Sequence, residues 1–133
     1  MNNKRMLVVI PLVVVIIAGA GWFFFLREKP IVYTEYAPGE HFVTNLKNSR
    51  RLLKAAFVFK LDTTNGKTID TVFKANQPFI RETIIFILRD LDEATVETPG
   101  FHVELTERIR ETLNEVLNTK HIVEVHLNDF VLQ

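Results

Sequence analysis

The sequence predicts one membrane-spanning helix followed by a small α+β domain, and three observations carry that prediction. Residues Met6 to Leu26 form an uncharged apolar run. Arg51 to Asp62 alternates apolar and polar residues with the period of a β-strand. Between this strand and a second strand-like segment, Ile122 to Leu132, apolar residues recur at helical spacing. Strands at both ends with two to three helices between them give a largely antiparallel sheet covered by helices.

The apolar run reads MLVVIPLVVVIIAGAGWFFFL, 21 residues without a charged side chain. At 1.5 Å per residue it covers roughly 31 Å, close to the thickness of a bilayer's hydrocarbon. Lys4 and Arg5 flank one end, Arg27 and Lys29 the other, and Trp22 sits where an indole prefers the interface. Pro11 falls in the first turns, where losing one backbone donor costs little. A cleaved secretory signal is the rival reading, since Ala18-Gly19-Ala20 resembles a cleavage site. A cut after Ala20 would leave Gly21-Trp22-Phe23-Phe24-Phe25-Leu26 as an exposed new terminus, which favours an anchor. Two basic residues on each side leave the positive-inside count nearly tied, so flanking charge does not orient the span.

The expected organisation is a tail over residues 1–5, a span over 6–26, a tether over 27–40 and a folded domain over 41–133. Pro30 to Gly39 reads as extended chain, because Tyr33, Tyr36 and Pro38 disfavour a helix and Pro38-Gly39 signals a turn. His41 to Leu46 suits a short strand, and Lys47-Asn48-Ser49-Arg50 a polar turn. In the following strand Leu53, Ala55, Phe57, Phe59 and Leu61 share one face. Ile69, Val72 and Phe73 suggest a short helix, interrupted by Pro78. Ile80, Ile84, Ile87, Leu88 and Leu91 form the stripe of a longer one. Thr98-Pro99 offers an N-cap and first-turn proline for a third helix, with Leu105, Ile109, Leu113, Val116 and Leu117 as its apolar stripe. In the last strand Val123, Val125 and Leu127 alternate with Glu124, His126 and Asn128.

Charge is unevenly distributed. From Lys47 to Arg81 there are eight Lys/Arg and two Asp/Glu; from Glu82 to Glu115 there are three and nine. If the two stretches occupied opposite sides of the domain, neighbouring copies could meet head to tail; if they met within one domain, the asymmetry would cancel locally.

Chemistry is harder to find. With no cysteine, a thiolate zinc site, a cysteine nucleophile and a disulfide are all excluded. His41, His102, His121 and His126 do not pair at helical spacing, and the last two are expected on opposite faces of one strand. Asp90, Asp92 and Glu93 lack the glycine and further oxygen ligands of a calcium loop and read as a helix end followed by a solvated loop. A G-x-S-x-G elbow, a phosphate loop and a dinucleotide fingerprint are absent. The basic residues before Lys74 alternate with core positions on a strand, which suits a solvated face better than a nucleic-acid site. The sequence therefore names no catalytic, cofactor-binding or metal-binding residue.

The order of short motifs resembles the FliL family of flagellar basal-body-associated proteins, over nearly the whole chain. Phe42-Val43-Thr44-Asn45-Leu46 is similar to the family's "F-V-x-N-L", and Arg51-Leu52-Leu53-Lys54 to the start of its second strand. Pro78-Phe79-Ile80-Arg81-Glu82-Thr83-Ile84-Ile85 is similar to its "P-x-I-R-D-x-I" helix start, with Glu82 in place of the usual Asp. Leu105, Ile109, Leu113-Asn114 and Leu117 resemble the next helix, and Phe130-Val131-Leu132-Gln133 the terminal "F-V-I-Q". The resemblance implies a single-pass protein of the bacterial inner membrane, N-terminus cytoplasmic and domain periplasmic, with a stomatin-like (SPFH-like) fold and no enzymatic activity or cofactor. It implies a motor accessory that supports the stator units built from MotA and MotB, aids motility and assembles into rings. A stomatin-like scaffold for another envelope complex is the alternative.

Overall fold

A computed structural model describes residues 3–133, with the side chains of residues 4–6 left undescribed. The chain divides into two compact units, Met1–Pro30 and Ile31–Gln133. The first is one helix, α1 (Asn3–Phe25), which runs through Pro11. Its segment Leu7–Phe25 is long and apolar enough to cross a membrane. Every described side chain from Leu7 to Leu26 is exposed, whereas a helix this apolar in water would hide a face.

The second unit is a four-stranded antiparallel sheet with helices on one face. Its strands are β1 (Tyr33–Tyr36), β2 (Phe42–Asn45), β3 (Leu52–Asp62) and β4 (Ile122–Leu132). The axis is β3. Its first half pairs with β2 and its second half with β1, so these two short strands share one edge. Along the other edge β4 pairs with nearly the whole of β3. The alternation of β3 becomes a burial pattern: Leu53, Ala55, Phe57, Phe59 and Leu61 are buried, and the residues between them are half-exposed.

The helices supply the other half of the core. A wide-turned π-helix, α2 (Ile69–Lys74), buries Phe73. Helix α3 (Gln77–Arg89) has Pro78 in its first turn, where a missing N–H costs nothing, and buries Ile80, Ile84, Ile87 and Leu88. A single turn, α4 (Glu93–Val96), follows, and then α5 (Phe101–Val116), which buries Phe101, Leu105, Ile109 and Leu113. These stripes and the β3 face form one continuous core.

The structure departs from the sequence expectations at five points. Tyr33 to Tyr36, read as tether, is a strand: it is ordered by pairing with Asp62 to Phe59, a partner too remote for local patterning to show. Thr98 is not the N-cap of α5. Thr98-Pro99-Gly100-Phe101 is instead a turn closed by Phe101 N–H donating to the Thr98 carbonyl (3.1 Å). Gly100 (φ 82°, ψ −2°) takes the left-handed position that such a turn demands after proline, and it caps the helix. Val116 is exposed because it lies at the helix end. Register shifts in β4 break the expected alternation, so Ile122 rather than Val123 stands opposite Leu61 and enters the core. Finally, α4 is an element the sequence reading did not name.

The end of α5 is locally determined. Asn118 adopts φ 49°; its N–H donates to Glu115 (3.0 Å) and that of Thr119 to Asn114 (2.8 Å), the paired bonds of a Schellman ending. The Asn114 side chain then clips the start of β4: its Nδ2 donates to the Ile122 carbonyl (2.9 Å) and its Oδ1 accepts from the Ile122 N–H (3.1 Å).

Candidate functional site

The four histidines are dispersed. His41 lies in the β1–β2 connection, where its carbonyl accepts from Arg81 (3.3 Å). His102 stands in the first turn of α5 against Phe101 and Phe130, with ring centroids 5.3 Å away in each case. His121 precedes β4, and His126 lies on the exposed sheet face with Nε2 3.2 Å from Glu124. Among the described residues, no three His, Cys, Asp or Glu side chains converge as a metal site would require.

The acidic trio after α3 is divided among structural tasks. Asp92 N-caps α4 by accepting from the Thr95 N–H (2.8 Å), and the bonds from Thr95 hold its carboxyl below the usual range. Glu93 accepts from the Ser49 hydroxyl and stands 3.9 Å from Arg51. Asp90 pairs with Arg108 (3.2 Å) and Lys47 (3.7 Å). The basic and acidic stretches thus meet within one domain, where the β2–β3 turn docks on the segment after α3. The Lys47 N–H donating to the Leu91 carbonyl (2.8 Å) fastens the same joint. These ion pairs are about half exposed, and each contributes little to stability.

A second joint centres on Arg81. Its guanidinium lies over the Phe42 ring, 4.5 Å from the centroid, and donates to the carbonyls of Pro38 and His41 (3.3 Å each). Gln77 also donates to Pro38 (3.2 Å). A Cβ added at Gly39 would stand 1.7 Å from Arg81 Nη1, so a glycine lets the chain pass beneath the guanidinium. Tyr36, just before this passage, donates its hydroxyl to the Phe73 carbonyl (3.4 Å), and its partial burial raises its pKa. Near the start of the domain, Asp62 accepts from the Thr64 hydroxyl (2.5 Å) and N–H (3.0 Å), which lowers its pKa.

The concavities are open and surface-borne. One of about 770 Å³ runs along α3, lined by Lys74, Pro78, Arg81, Ile85, Phe86 and Arg89 among others. Another of about 810 Å³ lies at the C-terminal end of α5 among Arg110, Glu111, Glu115 and His121. The second also holds Asn114, Thr119 and Lys120, and there the Thr119 hydroxyl accepts from the His121 backbone N–H (3.2 Å). What distinguishes α3 is its aromatics: Phe79 and Phe86 are 45% and 61% exposed, although Phe42, Phe57, Phe59, Phe73 and Phe101 are buried. The sequence reading passed over this pair; their seven-residue spacing, off the isoleucine stripe, was the available signal.

A candidate membrane helix followed by a small α+β domain is the class of protein that this fold defines. The profile of the family described as "Flagellar basal body-associated protein FliL" matches residues 36–133, and the chain belongs to that family. Its role is accordingly flagellar and basal-body-associated. A comparison with curated proteins finds no match.

Proposed function

We propose that this chain is a non-enzymatic accessory of the flagellar motor that supports the torque-generating stator units built from MotA and MotB. The family match over residues 36–133 carries the reading. In this arrangement α1 is a single-pass anchor in the inner membrane, the short N-terminal tail is cytoplasmic, and Ile31–Gln133 folds in the periplasm. The uncharged Leu7–Phe25 helix supports the anchor. The small sheet covered by helices on one face suits a stomatin-like module, and we infer that copies assemble around the motor as a homo-oligomer.

The test is co-purification. Tagged full-length chain, extracted in mild detergent, is expected to bring MotA and MotB with it. Recovery of a different envelope complex, with stator proteins at background, would replace this reading with a general membrane scaffold. A reporter fused after Gln133 is expected to behave as periplasmic, and the mature protein is expected to begin before Gly21.

A further inference from the structure

Among the exposed apolar side chains of the domain, which include Val43, Leu52 and Val103, two are phenylalanines on one helix. Phe79 and Phe86 lie on α3, seven residues apart, so they point within about 20° of one direction, two turns from each other. The stripe they form lies off the side that buries Ile80, Ile84 and Leu88. Beside it, Pro78 and Ile85 floor the shallow concavity, and Lys74, Arg81 and Arg89 border it against a single acid, Glu82. Lys74 is paired with Asp70 (2.9 Å). Arg81 donates to backbone carbonyls and makes no ion pair among the described residues. Arg89 makes no ion pair among the described residues.

We propose that this face of α3 is a docking surface for an amphipathic helix of another protein, one with an apolar seam flanked by acidic residues. Each part of that occupant answers something on α3. The Phe79–Phe86 pair repeats at one heptad, the spacing at which a second helix lays its own side chains between them. The thirteen residues of α3 span about 20 Å, which matches about four turns of a partner. The surplus of arginine over acid sets the sign of the flank. A bilayer is a poorer fit, because a helix lying on lipid needs a broad apolar face, and the broad apolar face of α3 is turned into the core. The inference does not depend on the flagellar reading, since it rests on the exposed face alone.

The probe is a labelled synthetic helix with leucines at heptad spacing and glutamates elsewhere, and its isomer with lysines in place of the glutamates. Anisotropy is read on full-length protein in nanodiscs of zwitterionic lipid. The glutamate helix is expected to bind, the lysine helix to bind at least about tenfold more weakly, and salt to weaken the former. Phe79→Ser with Phe86→Ser, and separately Arg89→Glu, are expected to lower affinity by about tenfold or more while leaving the thermal midpoint in place. Equal binding of both helices, undetectable binding of the glutamate helix, or affinity unchanged by the double serine variant would overturn the proposal. So would self-association that disappears in the serine variant without any binding of the probe, which would assign the face to a second copy. A serine variant that fails to fold leaves Arg89→Glu and the lysine isomer as the deciding arms.

Discussion

Two phenylalanine-to-alanine substitutions separate the core of this domain from its surface. Phe57 is 1% exposed, on the central strand, with its ring 5.8 Å from that of Phe42 in an edge-to-face arrangement. Phe86 is 61% exposed on α3. Truncating a fully buried phenylalanine removes its transfer free energy and leaves a cavity, together about 3–5 kcal/mol. A domain of this size has about 5–15 kcal/mol in total. At about 4–8 °C per kcal/mol, Phe57→Ala should lower the thermal midpoint of residues 31–133 by at least about 12 °C, or prevent folding. Phe86→Ala should shift it by no more than a few degrees, because surface changes usually fall within about 0.5 kcal/mol. Differential scanning calorimetry with urea unfolding as a second probe reads both. A midpoint for Phe57→Ala within 3 °C of the parent, a threshold taken from the same scaling, would show that the face assignment of β3 is wrong.

Other consequences follow from single contacts. Gly100→Ala should cost about 1–2 kcal/mol through backbone strain alone, since φ is 82° and nothing lies within 4 Å of an added Cβ; urea midpoints read it. Asn114→Ala removes both bonds to Ile122 and should cost about 1–3 kcal/mol, with faster amide exchange at the start of β4 as its local signature. The carboxyl of Asp92 is held below its unfolded value, so its capping contribution is complete above the ordinary aspartate pKa and is lost as pH falls through the lower folded value. The Thr95 amide resonance should follow that titration, and in Asp92→Asn the acid-side shift should disappear.

The legible parts of the fold were those whose pattern is local. The alternation from Leu53 to Leu61 and the isoleucine stripe of α3 each repeat often enough within a dozen residues to declare a period, and both are buried as expected. Strand β1 was illegible for the opposite reason. Its four residues alternate only between exposed and half-buried, and the partner that orders them lies at Phe59 to Asp62. The turn at Gly100 competed with a plausible threonine cap, and the geometry after Pro99 decided between them. The charge asymmetry was real in sequence, but Lys47–Asp90 and Arg51–Glu93 fold parts of the two stretches against each other. The surface of α3 was partly visible: Arg81 was singled out by motif, while its stacking on Phe42 and the passage of Gly39 beneath it depend on a contact forty residues away.

Stator support is the central claim, and the load on a single motor tests it most directly. A bead attached to one flagellar stub reports torque as rotation speed, which rises in discrete steps as stator units engage. In cells lacking this chain, the account predicts fewer steps at high load, restored by the full-length protein and not by residues 31–133 without the anchor. Step number and step height identical with and without the chain would contradict it.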